Sequence, residues 1–404
     1  MMNFKSYRFD EITINFDKKR IPLSAAQRKK RHGIYRYYGA QGVIDYIDDY
    51  IFDGTFLLIA EDGENLKSQK QNIAQIATGK FWVNNHAHIV QGTELCDTRF
   101  LCYLLNSMDL SGYVTGSAQP KLSQKSLNAV MLSIPDISIQ RKIVDYLYTL
   151  DKKIKNNIDI NENLEEQART VFKDWFIDYT PFDDPLVTTP AGFKAPTSLK
   201  ITRIADIPHI LETGRRPKGG AVTNGIPSIG AENVKELGKV NFSSVKFIPL
   251  DFAAKLKTGY VNGYELMIYK DGGKPGTFIP HFSMFGEGFP YESFYINEHV
   301  FKLDFYDRGY NEFAYFYMQS DYPYHWLASN GGKAAVPGIN QQDINSIWIF
   351  SPENPKVREF SEFVQPLFTH ILQNCKQNVE LANLRNQLLP KLMSGEIDLS
   401  TLDF

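Results

Sequence analysis

The sequence predicts an α+β protein built twice: two globular domains, each followed by a long helix, with the two helices pairing as an antiparallel coiled coil under pseudo-twofold symmetry. Three observations carry this. The chain repeats itself once. Each repeat ends in a heptad seam. The globular parts consist of short β-type runs broken by Gly, Asp and Asn turns.

The repeat is clearest at a constant offset of 217, which pairs Pro120 with Pro337, Gln124 with Gln341, Asn128 with Asn345, Pro135 with Pro352 and Arg141 with Arg358. The same offset pairs Leu150 with Leu367, Ile154 with Ile371, Asn157 with Asn374, Asn161 with Asn378 and Leu164 with Leu381. Upstream the match continues with changing offsets, as loop insertions require. Arg20-Ile21-Pro22 faces Arg215-Arg216-Pro217, Gly39-Ala40 faces Gly230-Ala231, and Phe81-Trp82-Val83-Asn84-Asn85-His86 faces Phe294-Tyr295-Ile296-Asn297-Glu298-His299. A period this long means duplicated domains, not a solenoid.

The helices follow from spacing. Ile143, Leu147, Leu150, Ile154, Asn157, Asn161, Leu164, Ala168, Val171 and Trp175 are separated by alternating steps of four and three. The second copy reads Phe360, Val364, Leu367, Ile371, Asn374, Asn378, Leu381, Arg385, Leu388 and Leu392, with Arg385 in place of Ala168 and Pro366 inside the helix, where a kink is expected. Two asparagines sit mid-seam in both copies, and buried Asn pairs fix register and partner choice. Antiparallel packing would bring Asn157, Asn161, Asn374 and Asn378 together; the alternative is that each helix packs on its own domain. The organisation expected is a globular domain over 1–138, a helix over 139–178, a linker over 179–198 rich in proline, a second domain over 199–356, a helix over 357–393 and a tail over 394–404.

Within the globular halves, β-type runs fall at 42–51, 55–59 and 81–83 and at 264–269, 292–295 and 346–350, with helical stretches at 98–107 and 311–320. The 404 residues are 43% hydrophobic and 22% charged, which suits a globular protein with a sizeable core. No apolar run approaches 18 residues, and the start of the chain lacks a signal-peptide pattern, so a cytoplasmic protein without membrane spans is expected. Three cysteines, Cys96, Cys102 and Cys375, form no CxxC pair, which argues against zinc and a disulfide framework. His86, His88 and His299 resemble a metal cluster, but the repeat pairs His86 with His299 after matching apolar runs, so structural histidines are expected and no metal.

The net charge of −2 is low for a nucleic-acid binder, but its distribution is uneven. Between Lys18 and Arg36 there are eight basic residues and no acidic ones, a run that suits either a solvated loop or a phosphate-facing one. Tyr35, Tyr37 and Tyr38 beside it suit either strand core or contacts with sugar and base. Lys and Arg suit phosphates and guanine, and Gln and Asn suit adenine. On that chemistry the phosphate candidates are Arg20, Lys29, Lys30, Arg31, Lys121, Arg215, Arg216, Lys218, Lys274 and Lys333, and the base candidates are Gln41, Gln119 and Asn224. No catalytic residue or cofactor is expected: the chain lacks an Asn/Asp-Pro-Pro-aromatic motif, a Gly-rich cofactor loop and a GxxxxGK[ST] phosphate loop.

Several stretches resemble the specificity subunits of type I restriction-modification enzymes. They include 79–88 (Gly-Lys-Phe-Trp-Val-Asn-Asn-His-Ala-His), 116–122 (Gly-Ser-Ala-Gln-Pro-Lys-Leu), 171–176 (Val-Phe-Lys-Asp-Trp-Phe) and 388–396 (Leu-Leu-Pro-Lys-Leu-Met-Ser-Gly-Glu). The resemblance implies two target-recognition domains, each reading one half of a split sequence in double-stranded DNA. It implies spacer helices that set the gap between half-sites and dock two methyltransferase subunits, with restriction and motor subunits joining that core. Ten seam positions over roughly 33 residues give a helix of about 50 Å, longer than one turn of B-DNA at about 34–36 Å. The alternatives are a specificity subunit for another class of restriction or phage-defence methyltransferase, and a non-catalytic coiled-coil scaffold.

Overall fold

The computed structural model describes residues 3–68, 71–116, 119–333 and 336–399. The chain divides into two compact units, Met1–Lys152 with Leu381–Phe404, and Lys153–Glu380. It is a mixed helix-and-sheet protein whose longest elements are a central helix, Ile137–Phe176, and a C-terminal helix, Pro355–Ser394. Each unit takes one end of each long helix.

In the first unit six strands form one sheet in the order Thr13–Asn15, Ala87–Gly92, Phe52–Ala60, Ala74–Val83, His32–Gly39 and Gly42–Ile47. Alternation puts Leu57, Ile59 and Val90 on the face covered by the helix Thr98–Ser107, whose Phe100, Leu101, Leu104 and Leu105 are buried there. Asp97 caps that helix by accepting from Arg99 and Phe100. The other face gathers Tyr38, Phe52, Phe56, Phe81 and Ile89. Both Tyr37 and Tyr38 are core residues, so the strand-core reading of this pair holds. The strand expected over 42–51 ends at Ile47, because Asp48 and Asp49 turn outward to meet Arg31.

A buried polar cluster ties the N-terminal segment to this sheet. Asp17 accepts from the backbone of Ile89 at 2.8 Å and lies 2.6 Å from His88 Nδ1, while His88 Nε2 lies 2.8 Å from the Leu122 carbonyl. Burial opposes charge on His88, but the bonds to Asp17 and Leu122 and the negative charge of Asp17 and Glu61 outweigh it, so His88 titrates above the ordinary imidazole value. Burial likewise opposes ionisation of Asp17, and the bonds from His88 and Ile89 outweigh it and hold the carboxyl below its usual range.

The second unit has a four-stranded sheet, Ile210–Thr213, Val300–Asp304, Leu266–Tyr269 and Phe282–Met284, and a three-stranded one, Lys246–Ile248, Ile226–Ile229 and Tyr295–Ile296. The helix Arg308–Tyr317 begins three residues before the expected stretch because Asp307 caps it, and a second helix, Asp321–Gly331, follows. Of the run expected over 292–295 only Tyr295 is in a strand; Glu292 instead meets Lys376 at 2.9 Å. The proline-bearing segment after the central helix contains a two-stranded hairpin, Leu186–Thr188 with Lys194–Pro196, and it buries Ala195 and Leu199 in the unit's main core.

The repeat is visible in the backbone. Phe4–Arg8 pairs antiparallel with Met131–Pro135, and Ile201–Arg203 with Trp348–Phe350. Phe9 donates to the Val130 carbonyl and Ile204 to the Ile347 carbonyl, both at 2.9 Å, at matched positions.

The long helices meet in reversed order within each unit. In the second, Asn157 donates to Asn378 at 2.9 Å and to Gln377 at 2.8 Å. Asn374 donates to Asn161 at 2.9 Å, and Asn161 to the Ile371 carbonyl at 3.1 Å. In the first, Arg385, the departure from the apolar seam, reaches Asp151 at 2.6 Å, and Asp151 also accepts from Tyr103. The C-terminal helix is continuous through Pro366.

Two outcomes follow from these contacts. Asn374→Leu leaves the Asn161 carbonyl without its donor and should cost about 1–3 kcal/mol, whereas Asn161→Leu with Asn374→Leu removes both partners and should recover about 1 kcal/mol or more of the summed loss. Urea unfolding of the four proteins measures this, and strict additivity would refute the pairing. For the buried pair, a raised His88 value means stability present below about pH 6.5 and lost as pH rises through that higher value; a lowered Asp17 value means stability present above the ordinary carboxyl range and lost in acid. Asp17→Asn should therefore cost about 3 kcal/mol near pH 6 and less near pH 9. Melting temperatures across that range should show the gap between wild type and variant narrowing; a constant gap would contradict the assignment.

Candidate nucleic-acid interface

In the first unit one corner of the sheet collects several of the residues singled out from sequence. The strand Phe52–Ala60 runs into the turn Glu61-Asp62-Gly63, and the strand Ala74–Val83 into Asn84-Asn85-His86. The Asn84 side chain accepts from the His86 backbone at 2.8 Å, which closes this second turn, and Glu61 donates through its backbone to the His86 carbonyl at 2.9 Å. The segment 119–122 is laced to the first turn: Gly63 donates to the Pro120 carbonyl at 3.2 Å and Leu122 to the Glu61 carbonyl at 2.8 Å. Gly63 sits at φ 129°, a conformation that L side chains rarely adopt, and a Cβ there would meet Asn65 and approach the Gln41 amide.

On this frame His86 Nδ1 lies 2.7 Å from Asp62 Oδ2, and Lys121 meets Glu61 at 3.2 Å. Asn85, His86, Gln119 and Lys121 line a concave site of about 310 Å³ with the two acids. Ser117 and Ala118, in the motif that precedes Pro120, lie outside the described residues, as do Ala334 and Ala335 in its second copy.

The basic run resolves into two kinds of residue. Arg20, Arg28 and Arg31 are held by acids, and Arg36 donates to the Thr78 carbonyl at 2.8 Å. Arg20 is turned inward, with its guanidinium on Glu61 at 3.0 Å and on the carbonyls of Asp17 and Ala87, and its side chain is only 15% exposed. Of these acceptors of a residue offered from sequence as a phosphate candidate, Glu61 and Ala87 lie distant in the chain. Arg28 pairs with Asp45 at 2.9 Å and stacks on Tyr37. Arg31 pairs with Asp48 and Asp49 and stacks on Trp82. Lys29 and Lys30, at the end of the helix Ala25–Lys29, are exposed and have no ion pair among the described residues.

The second unit builds the same corner from the matched segments. His299 Nδ1 bonds Asp271, which follows the strand Leu266–Tyr269, and Asn297 accepts from the His299 backbone at 2.9 Å. Gly272 donates to the Pro337 carbonyl at 2.9 Å and Ile339 to the Lys270 carbonyl at 2.8 Å. The difference lies at the far ring nitrogen: Arg216 donates to His299 Nε2 at 2.9 Å and pairs with Glu298 at 2.7 Å. Arg215, Arg216, Ser228, Lys246 and Asn297 line a concave site of about 250 Å³. Lys218, Asn224 and Lys274 are exposed, Lys274 on a turn whose Gly272, Gly273 and Gly276 have positive φ, and Lys333 meets Asn330 at 2.7 Å.

The structure thus gathers Gln41, Gln119 and Lys121 at one corner and Arg215 and Arg216 at the matched one, and leaves Lys29, Lys30, Lys218, Asn224 and Lys274 as separate exposed groups. Sequence reasoning missed Asp62, Asp271 and Lys246. The signal for the two acids was present: each directly precedes a turn glycine, Gly63 or Gly272, at the same place in its repeat. The histidines are hydrogen-bonded, and no group of His, Cys, Asp and Glu that suits a metal occurs among the described residues. Burial pushes the thiols of Cys96 and Cys102 up to about 12 and that of Cys375 up to about 11, which leaves little thiolate for nucleophilic chemistry. No helix among the described residues is long and apolar enough to cross a membrane.

The chain is similar to several known proteins. The family described as type I restriction modification DNA specificity domain matches residues 1–166. A putative type I restriction enzyme specificity subunit of Haemophilus influenzae is 37% identical over 141 residues, which are 35% of this chain and 36% of that relative. The type I restriction enzyme MjaIX specificity subunit of Methanocaldococcus jannaschii is 27% identical over 323 residues, covering 76% of this chain and 70% of that one. In three dimensions the fold is similar to the S subunit of a type I restriction-modification system from M. genitalium, with a TM-score of 0.63 and 13% identity over 97% of this chain and 96% of that one. A duplicated sheet-and-helix chain is thus matched by this family at its first repeat and is similar to a type I specificity subunit along most of its length.

Proposed function

We propose that this chain is the sequence-specific DNA-binding subunit of a cytoplasmic type I restriction-modification complex and carries no catalytic site of its own. Two target-recognition domains, 1–138 and 199–356, each read one half of a bipartite, asymmetric target. The helices over 139–178 and 357–393 pair as an antiparallel coiled coil with pseudo-twofold symmetry, set the gap between half-sites and dock two methyltransferase subunits, to which restriction and motor subunits add. The segment 179–198 links the first helix to the second domain, and 394–404 is a tail.

The observation that carries this reading is the corner built twice, once per repeat, with an Asp-bound histidine, a tied loop and exposed amide or cationic groups beside a concave site. Two similar readers on one chain suit two half-sites, and their differing side chains suit halves of different sequence. The exposed lysines, Lys29, Lys30, Lys218 and Lys274, suit phosphates, which fix orientation without reading sequence.

Co-expression with the methyltransferase subunit of the same system, followed by long-read mapping of adenine methylation, tests this directly. A split motif with a fixed gap should appear only when this chain is present, and methylation that is identical without it would overturn the proposal. Lys30→Ala should weaken binding to all duplexes about equally and lower the salt slope by about 1; a loss confined to one sequence would contradict its phosphate role.

A further inference from the structure

Both repeats build the Asn-Xaa-His turn with the same partners. His86 and His299 each give Nδ1 to an aspartate from the neighbouring turn, Asp62 and Asp271, and each turn is closed by the preceding asparagine, Asn84 and Asn297. Such a matched set on an exposed corner exceeds what holding a loop requires, because the loops are already tied by backbone bonds to Pro120 and Pro337.

We propose, resting on the DNA-reading role above, that this turn carries a base-reading contact in each recognition domain: His86 at one half-site and Arg216, held by His299, at the other. An ionised carboxylate only accepts, so Asp62 fixes the proton of His86 on Nδ1 and leaves Nε2 with its lone pair. Nε2 has no protein partner among the described residues, and His86, 49% exposed, lines the concave site with Gln119 and Lys121. Glu61 and Asp62 share that site and disfavour a phosphate there. An amine on a base edge is compatible with them, so the fitting group is the N6 amine of adenine or the N4 amine of cytosine.

In the second domain the same nitrogen is occupied. His299 Nε2 accepts from Arg216, and Glu298 pairs with the same guanidinium nitrogen. The Arg216 side chain is 58% exposed and beside the cationic concave site, so its remaining N–H groups are oriented and open. That arrangement fits guanine O6 and N7. One duplicated corner therefore presents an acceptor in one domain and a donor in the other, which is a physical source of unequal half-sites. Asp62 and His299 act as positioning residues: each fixes the group that makes the contact.

The test uses the full chain co-expressed with its methyltransferase subunit, as wild type, His86→Ala and Arg216→Ala. His86→Ala should make one adenine- or cytosine-bearing position of one half-site degenerate, with the other half-site and the gap unchanged. Arg216→Ala should do the same at a guanine position of the other half-site. Affinity for the cognate duplex should fall about tenfold for each, with affinity for unrelated duplex, the salt slope and the melting temperature unchanged. A variant that keeps the wild-type motif overturns the assignment of its residue. Uniform weakening with a shallower salt slope marks a phosphate contact and also overturns it, as does joint loss of both half-sites with a lower melting temperature. If wild type itself directs no split motif, the function proposed above fails before this inference is reached.

Discussion

An amide buried between two helices has to find a partner, and that demand aligns the long helices of this chain. Asn157 and Asn374 are buried in a seam that is mostly apolar, and they bond to Asn378 and Asn161. Sliding one helix by a heptad would still match apolar to apolar. It would also place asparagine against leucine and leave amide groups unmet at about 1–3 kcal/mol each. Apolar burial therefore supplies most of the attraction in the seam, and the asparagines select among the registers that burial alone leaves close in energy. In the second unit this register carries Phe172 and Phe176 onto Phe360 and the helix Arg308–Tyr317, where the largest aromatic cluster of the unit forms.

The seam is not symmetric, and its one charge shows why. At the offset that relates the repeats, Asp151 corresponds to Phe368 and Ala168 to Arg385. Asp151 and Arg385 form an ion pair in the first unit; Phe368 and Ala168 both lie in the apolar core of the second. Both charged partners are about one-third exposed, so the pair adds little net stability. Its effect is on identity. Arg385 set against a seam position without Asp151 would be an unpaired charge on an apolar surface, so a helix end that meets this pair has no good alternative partner. The charge pair at one end and the apolar pair at the other make the two ends of the seam distinct.

What was legible in the sequence and what was not divides along contact range. The alternation of four and three from Ile143 to Trp175 is a local pattern, and helices of 40 residues follow it. The helix Thr98–Ser107 was readable for the same reason, from its own residues. That Arg20, a phosphate candidate from sequence, is held by Glu61 and the Ala87 carbonyl was not legible, because both lie far from it along the chain. The Asp62–His86 tie spans 24 residues and has no local signature. Only the second copy, with Asp271 and His299 in the same relation, made it available to sequence reasoning. Strand ends were the weakest point. The run over 42–51 is apolar and aromatic enough to read as one strand, but the demand of Arg31 for Asp48 and Asp49 stops it at Ile47.

The net charge of −2 looked like an argument against DNA binding, and the ion pairs remove its force. Acids in this chain do not simply dilute a basic surface. Asp45, Asp48, Asp49 and Glu298 hold Arg28, Arg31 and Arg216 in fixed orientations, several of them against aromatic rings. A guanidinium held in this way has given up much of its rotamer freedom before any partner arrives. That suits a contact which must discriminate between base edges. Lys29, Lys30, Lys218 and Lys274, by contrast, are exposed and without acid partners among the described residues, which suits contacts with a phosphate chain whose position varies. For a reader of DNA the two tasks place opposite demands on a cation, rigid for bases and mobile for phosphates. Arginines paired in this way bring acidic residues with them, so the total charge of the chain says little about the charge at any one face of it.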